Sequence, residues 1–285
     1  MTNKRIAFVT DSTAYLSEEL KQHPDIYVVP IVIISEGKEY EDGINLTSNE
    51  LYELIRSEKE VPKTSQPNVN KFINLYKDLM EAYDQIIAIH VSSKLSGTIS
   101  SSSTAKDQER VPVEIVDSYS LSFAITTLLE KGLELARKGM EASTIASELR
   151  QMSAGHENLI LLDTLEQLYK GGRMTGVQFK VGSFLQIKPI LSISKSGELG
   201  LVERIRSEKK AIRRIVAMIK DSCEKSAVTR IGIMHGNALD KAIQLKEMIQ
   251  AELPNLDIII GEVSSSLAVH AGEGALAVFW STSKS

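Results

Sequence analysis

Three loops carry acidic and hydroxyl side chains directly after short apolar runs of the kind that form buried strands. They are residues 11–13 (DST), 92–98 (SSKLSGT) and 117–118 (DS). In open parallel sheets, ligands bind beyond the carboxyl ends of the strands. If the three strands are parallel neighbours, their hydroxyl groups line one edge of a sheet. That edge is the first candidate for a binding site.

Within the second loop, Ser96, Gly97 and Thr98 stand where the chain enters a predicted helix. A helix N-terminus offers free N–H groups and a partial positive charge, so a small anion can bind there. The same residues also fit simple capping of the helix. Thr64 and Ser65, in the segment KTSQP, have the same two interpretations ahead of the next helix. Local sequence leaves both open.

Two further residues could contact an anionic ligand. His270 precedes the glycine-rich AGEG, which allows close approach to a ligand, but it also fits a buried structural histidine. Arg206 stands at a predicted strand-to-helix junction and fits either an anion site or a surface ion pair. The five histidines are dispersed, and Cys223 is the single cysteine. We therefore expect no metal site.

Ser96 and His270 also define an alternative function. With Asp11 or Asp117 to orient the histidine, they would form the nucleophile and base of a stand-alone acyl hydrolase or acyltransferase. This arrangement requires hydrogen-bond contact between Ser96 and His270. The sequence contains no G-x-S-x-G motif, which weakens the serine-hydrolase interpretation.

The composition excludes several classes of protein. Its 285 residues include 33 Lys and Arg against 37 Asp and Glu, so the net charge of −4 disfavours a general nucleic-acid binder. There is no P-loop, and GEGALA is followed by too few residues to open a dinucleotide-binding unit. No apolar stretch approaches the ~20 residues of a membrane span. We expect a cytoplasmic protein with no cofactor and no integral membrane segment.

Strand-like and helical patterns alternate along the chain, which predicts an α/β fold. The first half indicates a mainly parallel sheet, and residues 63–67 read as a loop because Pro67 disfavours helix at Gln66. The second half indicates a mixed sheet with a hairpin turn at KSGE. Predicted strands cover residues 5–10, 86–91, 113–117, 159–162, 188–194, 199–205, 230–234 and 256–263. Predicted helices cover residues 47–57, 69–82, 98–106, 120–137, 142–152, 207–225 and 238–251.

An ordered set of fragments resembles the DegV family of fatty-acid-binding proteins. The fragments are VTDST, KTSQP, SSKLSGT, VDS, LEQLYKGGR, VGSFLQIKPIL, RIRSEKKA and HAGEGALAV, and they span nearly the whole chain. The resemblance implies an N-terminal α/β domain, residues 1–155, that carries the carboxylate-binding loops. It implies a C-terminal α/β domain, residues 156–285, that contributes an apolar tunnel. One long-chain fatty acid is expected between them.

The resemblance also implies roles for particular residues. Thr64 and Ser96 are expected to hold the carboxylate, with Ser65 and the Gly97 backbone beside them. In family members that serve as the binding subunit of bacterial fatty acid kinase, residues at the positions of Arg206 and His270 act near the carboxyl or acyl phosphate. A separate ATP-dependent kinase performs that phosphorylation, so this chain is expected to be non-catalytic. A lipid-sensing regulatory protein would differ only in its partner.

One departure from the family pattern bears on the kinase role. Where relatives often have Thr-Gly-Pro-Gly after the histidine, this chain has Ala-Gly-Glu-Gly. Glu273 would place a negative charge near the expected anion site. Phe184, Leu185 and Ile187 are candidates for the tunnel lining, but they could equally belong to the core.

Overall fold

The structure is a computed structural model that describes residues 4–57, 61–174 and 187–282. Strands and helices alternate along these residues, as predicted for an α/β protein. The strands are β1 (Ile6–Asp11), β2 (Ile26–Val29), β3 (Val32–Ser35), β4 (Lys38–Glu41), β5 (Lys63–Ser65), β6 (Gln85–His90), β7 (Val113–Asp117), β8 (His156–Leu161), β9 (Lys188–Ile193), β10 (Leu199–Ile205), β11 (Arg230–His235), β12 (Asp257–Glu262) and β13 (Leu276–Ser281). The helices are α1 (Glu18–Lys21), α2 (Ser48–Ser57), α3 (Val69–Met80), α4 (Thr98–Glu109), α5 (Phe123–Arg137), α6 (Ala142–Ser153), α7 (Glu166–Lys170), α8 (Glu208–Lys225), α9 (Leu239–Glu252) and α10 (Ser265–Ala271).

The first sheet has the order β2-β1-β6-β7, and all of its pairs are parallel. Helices cover both of its faces. Phe8 of β1 packs in a core with α5 and α6, whereas the neighbouring Ala7 and Val9 pack in a core with α3 and α4. This alternation is expected because successive side chains of a strand point to opposite faces. The predicted parallel sheet is confirmed, and the loops after β1, β6 and β7 lie at one edge.

The second sheet is mixed, also as predicted, with the order β10-β9-β8-β13-β11-β12. Its β11–β12 pair is parallel and the other pairs are antiparallel. On one face, Leu159 and Leu161 pack in a core with residues of α8 and α9. Ile160, on the opposite face, belongs to a core cluster that includes Leu51 and Phe123 of the N-terminal half. Because this cluster joins both halves, the boundary between residues 155 and 156 stays a prediction.

A third, three-stranded antiparallel sheet has the order β4-β3-β5. The interpretation of residues 63–67 as a loop is therefore wrong, because Lys63–Ser65 is a short edge strand that pairs Thr64 with Ile33. Pro67 does keep Gln66 out of a helix, but it leaves the three preceding residues free to pair. Three residues are too few to show a strand periodicity.

The last helix and strand, α10 and β13, were not predicted. A turn with positive φ at Gly272 (78°) and Gly274 (85°) joins them. These backbone angles favour glycine. They explain the glycine spacing that resembled a nucleotide-binding fingerprint.

Replacing Gly232 of β11 by alanine is expected to destabilise the fold by about 1–3 kcal/mol. A Cβ at Gly232 would collide with the ring of Phe123, which packs α5 against the mixed sheet. Urea denaturation would measure the change in the free energy of unfolding. The matched control is Gly200→Ala in β10, where a Cβ meets nothing within 4 Å. Equal stabilities of the two variants would contradict this packing argument.

Candidate functional site

Asp11, at the end of β1, holds two loops of the parallel-sheet edge together. Its Oδ1 accepts hydrogen bonds from the N–H (3.1 Å) and hydroxyl (2.6 Å) of Thr13, and its Oδ2 accepts one from the N–H of Val91 (2.9 Å). Asp11 Oδ2 also lies 3.2 Å from His90 Nδ1. All of these groups are buried. Asp11 therefore positions Thr13 and Val91, two residues that line the cavity described next.

The central cavity lies between this loop edge and one face of the mixed sheet. It encloses about 870 Å³ of atom-free space, including its open mouth. Most of the described lining is apolar, with side chains such as Ile160, Leu191 and Ile193 on one sheet face and the small Ala275 and Ala277 beside them. The six polar residues of the described lining are Thr13, Thr64, Ser96, Arg173, Ser266 and His270.

Four of these six residues form a polar cluster, defined here as Thr64, Ser96, Arg173 and His270. Thr64 Oγ1 on β5 and His270 Nε2 on α10 share a hydrogen bond of 2.7 Å. Ser96 Oγ lies 2.8 Å from the Thr98 hydroxyl and accepts a bond from the Thr98 N–H at 3.3 Å. Ser96 thus accepts a bond from the first residue of α4 and also lines the cavity.

His270 is partly buried, and its imidazole is uncharged at neutral pH. Burial, and secondarily the charge of Arg173, lower the pKa of its imidazole to about 3. Its Nδ1 has no hydrogen-bond partner among the described residues. The ring packs against Gly171, where a Cβ would collide with it. The glycine pair after α7 is therefore needed for the position of His270 as well as for ending the helix.

Arg173 is the site residue that sequence reasoning missed. Its Nη1 donates to the Gly171 carbonyl at 2.6 Å and its Nε donates to the Leu95 carbonyl at 3.3 Å. Burial lowers the pKa of the guanidinium from its ordinary value. Among the described residues, it forms no ion pair with a carboxylate, so its positive charge at the cavity is uncompensated. KGGR entered the sequence analysis only as part of a family fragment, without a role, because no local pattern distinguishes its arginine from a surface one.

Gly97 and Ser65 lie near the polar cluster without lining the cavity. Gly97 precedes α4, and a Cβ there would lie 3.0 Å from the Gln66 side chain, so the KTSQP and LSGT segments approach closely. Ser65 is partly buried on β5, and its hydroxyl donates to the Gln66 carbonyl at 3.4 Å. Both therefore lie beside the cluster, and their contact with a carboxylate stays a prediction.

Other predicted residues lie elsewhere. Arg206 is exposed between β10 and α8 and does not line the central cavity. Ile187 is partly buried and is also absent from the lining. Phe184 and Leu185 fall outside the described residues.

Glu273 does not place its charge in the cavity, in contrast to the expectation. Arg56 Nη1 donates to both of its carboxylate oxygens at 3.0 Å, and Asn237 Nδ2 donates at 2.6 Å. Glu273 is thus paired on the surface and absent from the cavity lining.

The hydrolase arrangement is not assembled. The Nε2 of His270 contacts Thr64 rather than Ser96, and Asp117 accepts backbone hydrogen bonds from Ser93 and Tyr119. Asp11 contacts His90, whose Nε2 lies 3.1 Å from Ser102 Oγ. That serine, histidine and aspartate are sealed in the core, where no substrate can reach them.

The described residues contain neither a metal-binding cluster nor a membrane-spanning helix. Over residues 4–57, 61–174 and 187–282, no group of three or more His, Cys, Asp or Glu side chains could hold a metal ion. Within the same ranges, every helix is too short or too polar to cross a membrane.

The chain matches known proteins over nearly its full length. The model of the DegV family matches residues 5–283. The DegV domain-containing protein lmo2514 of Listeria monocytogenes is 33% identical over 281 residues, covering 98% of this chain and 99% of the relative. The structure of SAG1342 from Streptococcus agalactiae, a fatty acid binding DegV family protein, superposes with a TM-score of 0.91 at 30% identity and covers 99% of this chain and 100% of its own. DegV from Bacillus subtilis, a fatty acid binding protein, superposes with a TM-score of 0.87 at 31% identity, covering 98% and 100%. This chain belongs to the DegV family.

Proposed function

We propose that the protein binds one long-chain fatty acid, with the alkyl chain in the central cavity and the carboxylate at the polar cluster. The observation that carries this proposal is an apolar cavity with an uncompensated guanidinium and hydroxyl groups gathered on its wall. Solved relatives at 30% and 31% identity bind fatty acids. The division into domains at residues 1–155 and 156–285, with the lipid between them, is part of the same proposal.

The apolar lining accounts for affinity. A palmitate chain has ~14 methylenes, and burial at ~0.8 kcal/mol each supplies ~11 kcal/mol before the costs of association. The wall that faces the alkyl chain includes the branched aliphatic side chains of Leu191, Ile193 and Ile160. A sheet face without charged side chains suits a saturated or mono-unsaturated alkyl chain such as palmitate or oleate.

The polar cluster has a different role. A carboxylate that leaves water must regain hydrogen bonds, or it suffers a large desolvation penalty. The hydroxyls of Thr64 and Ser96 can donate to it, and neutral His270 can donate through one ring nitrogen. Arg173 supplies the opposite charge. Ser65 and the Gly97 backbone lie close enough to the cluster to assist.

We further propose that the bound carboxylate is presented to an ATP-dependent fatty acid kinase in the cytoplasm. One carboxylate oxygen would attack the γ-phosphorus of ATP held by the kinase, giving an acyl phosphate and ADP. No base is needed, because the nucleophile is already an anion. This chain has no P-loop of its own. Exposed Arg206 and partly buried His270 are the proposed contacts to the kinase or the acyl phosphate, as the family resemblance implies.

The first test is native mass spectrometry of the protein purified from its expression host, with extraction and identification of any released lipid. A bound species with the mass of a long-chain fatty acid is the expected result. A protein that carries no lipid and takes up neither palmitate nor oleate would overturn the proposal.

Replacing both Thr64 and Ser96 by alanine is expected to weaken palmitate binding by roughly 10- to 100-fold. Each hydroxyl that donates to a carboxylate contributes about 1.5–3 kcal/mol at most, and part of this is recovered by water. Displacement of a fluorescent fatty acid would measure the affinity. Ser100→Ala, an exposed position on α4, is the matched control. Unchanged affinity of the double variant would exclude this head-group position.

A further inference from the structure

A second cavity lies beside the central cavity, and Ile193 is the described residue that lines both. The second cavity encloses about 720 Å³ of atom-free space, including a wide opening to solvent. Its lining mixes apolar residues such as Met218 and Trp280 with polar ones such as His156 and Lys195. Among the described lining residues, Ile193 alone is shared by this half-polar space and the apolar one.

The second cavity exists because β8 and β9 separate. Their ladder has two residue pairs, Ile160 with Leu191 and Leu161 with Ile190. Beyond them, the Asn158 side chain replaces the missing backbone pairs. Its Nδ2 donates to the Ile193 carbonyl at 3.0 Å, and its Oδ1 accepts from the Ile193 N–H at 2.7 Å. This side-chain clasp fixes Ile193 at the gap in the sheet.

Ile193 lies away from the polar cluster. It sits opposite Asn158, whereas the turn that carries Arg173 follows the other end of β8, beyond Leu162. Leu162 follows Asn158 by four residues, a distance of about 13 Å along the strand. An alkyl chain that starts at the polar cluster can therefore run along β8 and β9 toward Ile193.

We propose that Ile193 is the end wall of the central cavity and sets the longest acyl chain that the protein accepts. The inference rests on the proposed fatty-acid binding. A chain that ends at Ile193 is fully buried, and a longer one is blocked by its side chain. Truncating Ile193 removes this wall, so the methyl end of a longer chain can extend past the Ile193 position toward His156.

Val263 also lines two cavities, but the barrier there is different. It separates the central cavity from a third one that is also lined by Ser12, Asp42 and Ser265. Asp42 accepts hydrogen bonds from the Ser12 hydroxyl at 2.8 Å and the Ser265 N–H at 3.1 Å. Passage of an alkyl chain there would break a buried polar network, whereas at Ile193 the Asn158 hydrogen bonds go to the backbone and stay intact when the side chain is truncated.

The test compares the affinities of wild type and Ile193→Ala for saturated fatty acids from myristate to lignocerate. We expect wild type to bind palmitate or stearate and to reject behenate. In Ile193→Ala, the preference for behenate over palmitate should rise by at least about tenfold, because two more buried methylenes are worth that factor. The matched control is Leu191→Ala, which removes the same three carbons on the same strand but lines the central cavity alone.

The His156 ring signals in an NMR spectrum give a second readout. Behenate should shift them in Ile193→Ala, and palmitate should leave them unchanged. Equal length profiles for Ile193→Ala and Leu191→Ala, or no His156 shift, would overturn the inference. If the alanine variant does not fold, Ile193→Val must show a smaller shift of the same kind, and its absence is equally decisive. If the proposed fatty-acid binding itself is wrong, the result is different, because wild type would then bind none of the fatty acids tested.

Discussion

Replacing Arg173 by glutamine is expected to weaken fatty-acid binding by roughly 10- to 100-fold, the largest single-residue effect on affinity at this site. Hydrogen bonds to charged groups contribute about 1.5–3 kcal/mol each. The guanidinium is partly desolvated before any ligand arrives, as the lowered pKa shows. Its described hydrogen bonds go to the carbonyls of Gly171 and Leu95, which are neutral. The guanidinium therefore loses part of its hydration when the protein folds. A carboxylate that binds beside it does not have to remove that water.

Two comparisons separate this charge effect from a structural one. Arg206→Gln removes an equal charge at an exposed position outside the cavity lining, and its affinity for palmitate should equal that of wild type. Palmityl alcohol has the same chain but no charge, so its affinity should change little in Arg173→Gln. Isothermal titration of both ligands would measure the difference. An equal loss for acid and alcohol would show that the substitution only disturbs the cavity.

The sequence predicted much of the fold because the informative patterns are long or local. Strands β1 and β6 are largely apolar runs covered on both faces, and β7 is the shorter VEIVD; all three were predicted to within one residue. Helix α2 likewise begins at a local motif, a capping box in which the Thr47 N–H donates to Glu50 Oε2 at 2.8 Å and the Glu50 N–H donates to Thr47 Oγ1 at 3.3 Å. Such patterns depend on residues close in the chain.

The assembly of the polar cluster depends on contacts distant in the chain. Thr64 and His270 are separated by 206 residues, and they meet because edge strand β5 passes α10. Neither element has a distinctive pattern, since β5 has three residues and α10 has seven. Glu273 was expected near the anion because it follows His270 closely in sequence. Its pairing with Arg56 of α2 could not be known without the fold.

The stability of the protein is expected to fall as the pH drops from about 6.5 toward 3, and His270 is expected to be one main cause. Burial, with the charge of Arg173, holds the pKa of His270 at about 3, and burial alone holds that of His156 at about 4. In the unfolded chain both imidazoles have a pKa near 6.5. Between these values the unfolded chain binds protons that the native protein does not, so lower pH favours unfolding. Above pH 6.5 both states are neutral, and this contribution no longer changes.

His270→Gln should flatten this pH dependence. Glutamine keeps an amide that can form a hydrogen bond with Thr64, but it does not titrate in this pH range. The variant therefore lacks one of the two histidines whose pKa differs between the folded and unfolded states. Each pKa unit of difference corresponds to about 1.4 kcal/mol, and the histidine could account for several kcal/mol over the whole window.

The measurement is the free energy of unfolding from urea titrations at pH values across the window. At neutral pH the variant is expected to be less stable than wild type, because the packing against Gly171 changes, while the slope against pH is smaller. An unchanged slope would mean that His270 is protonated in the native protein as readily as in the unfolded chain. In that case its ring would be open to water, and the cavity mouth could not hold a neutral histidine beside Arg173.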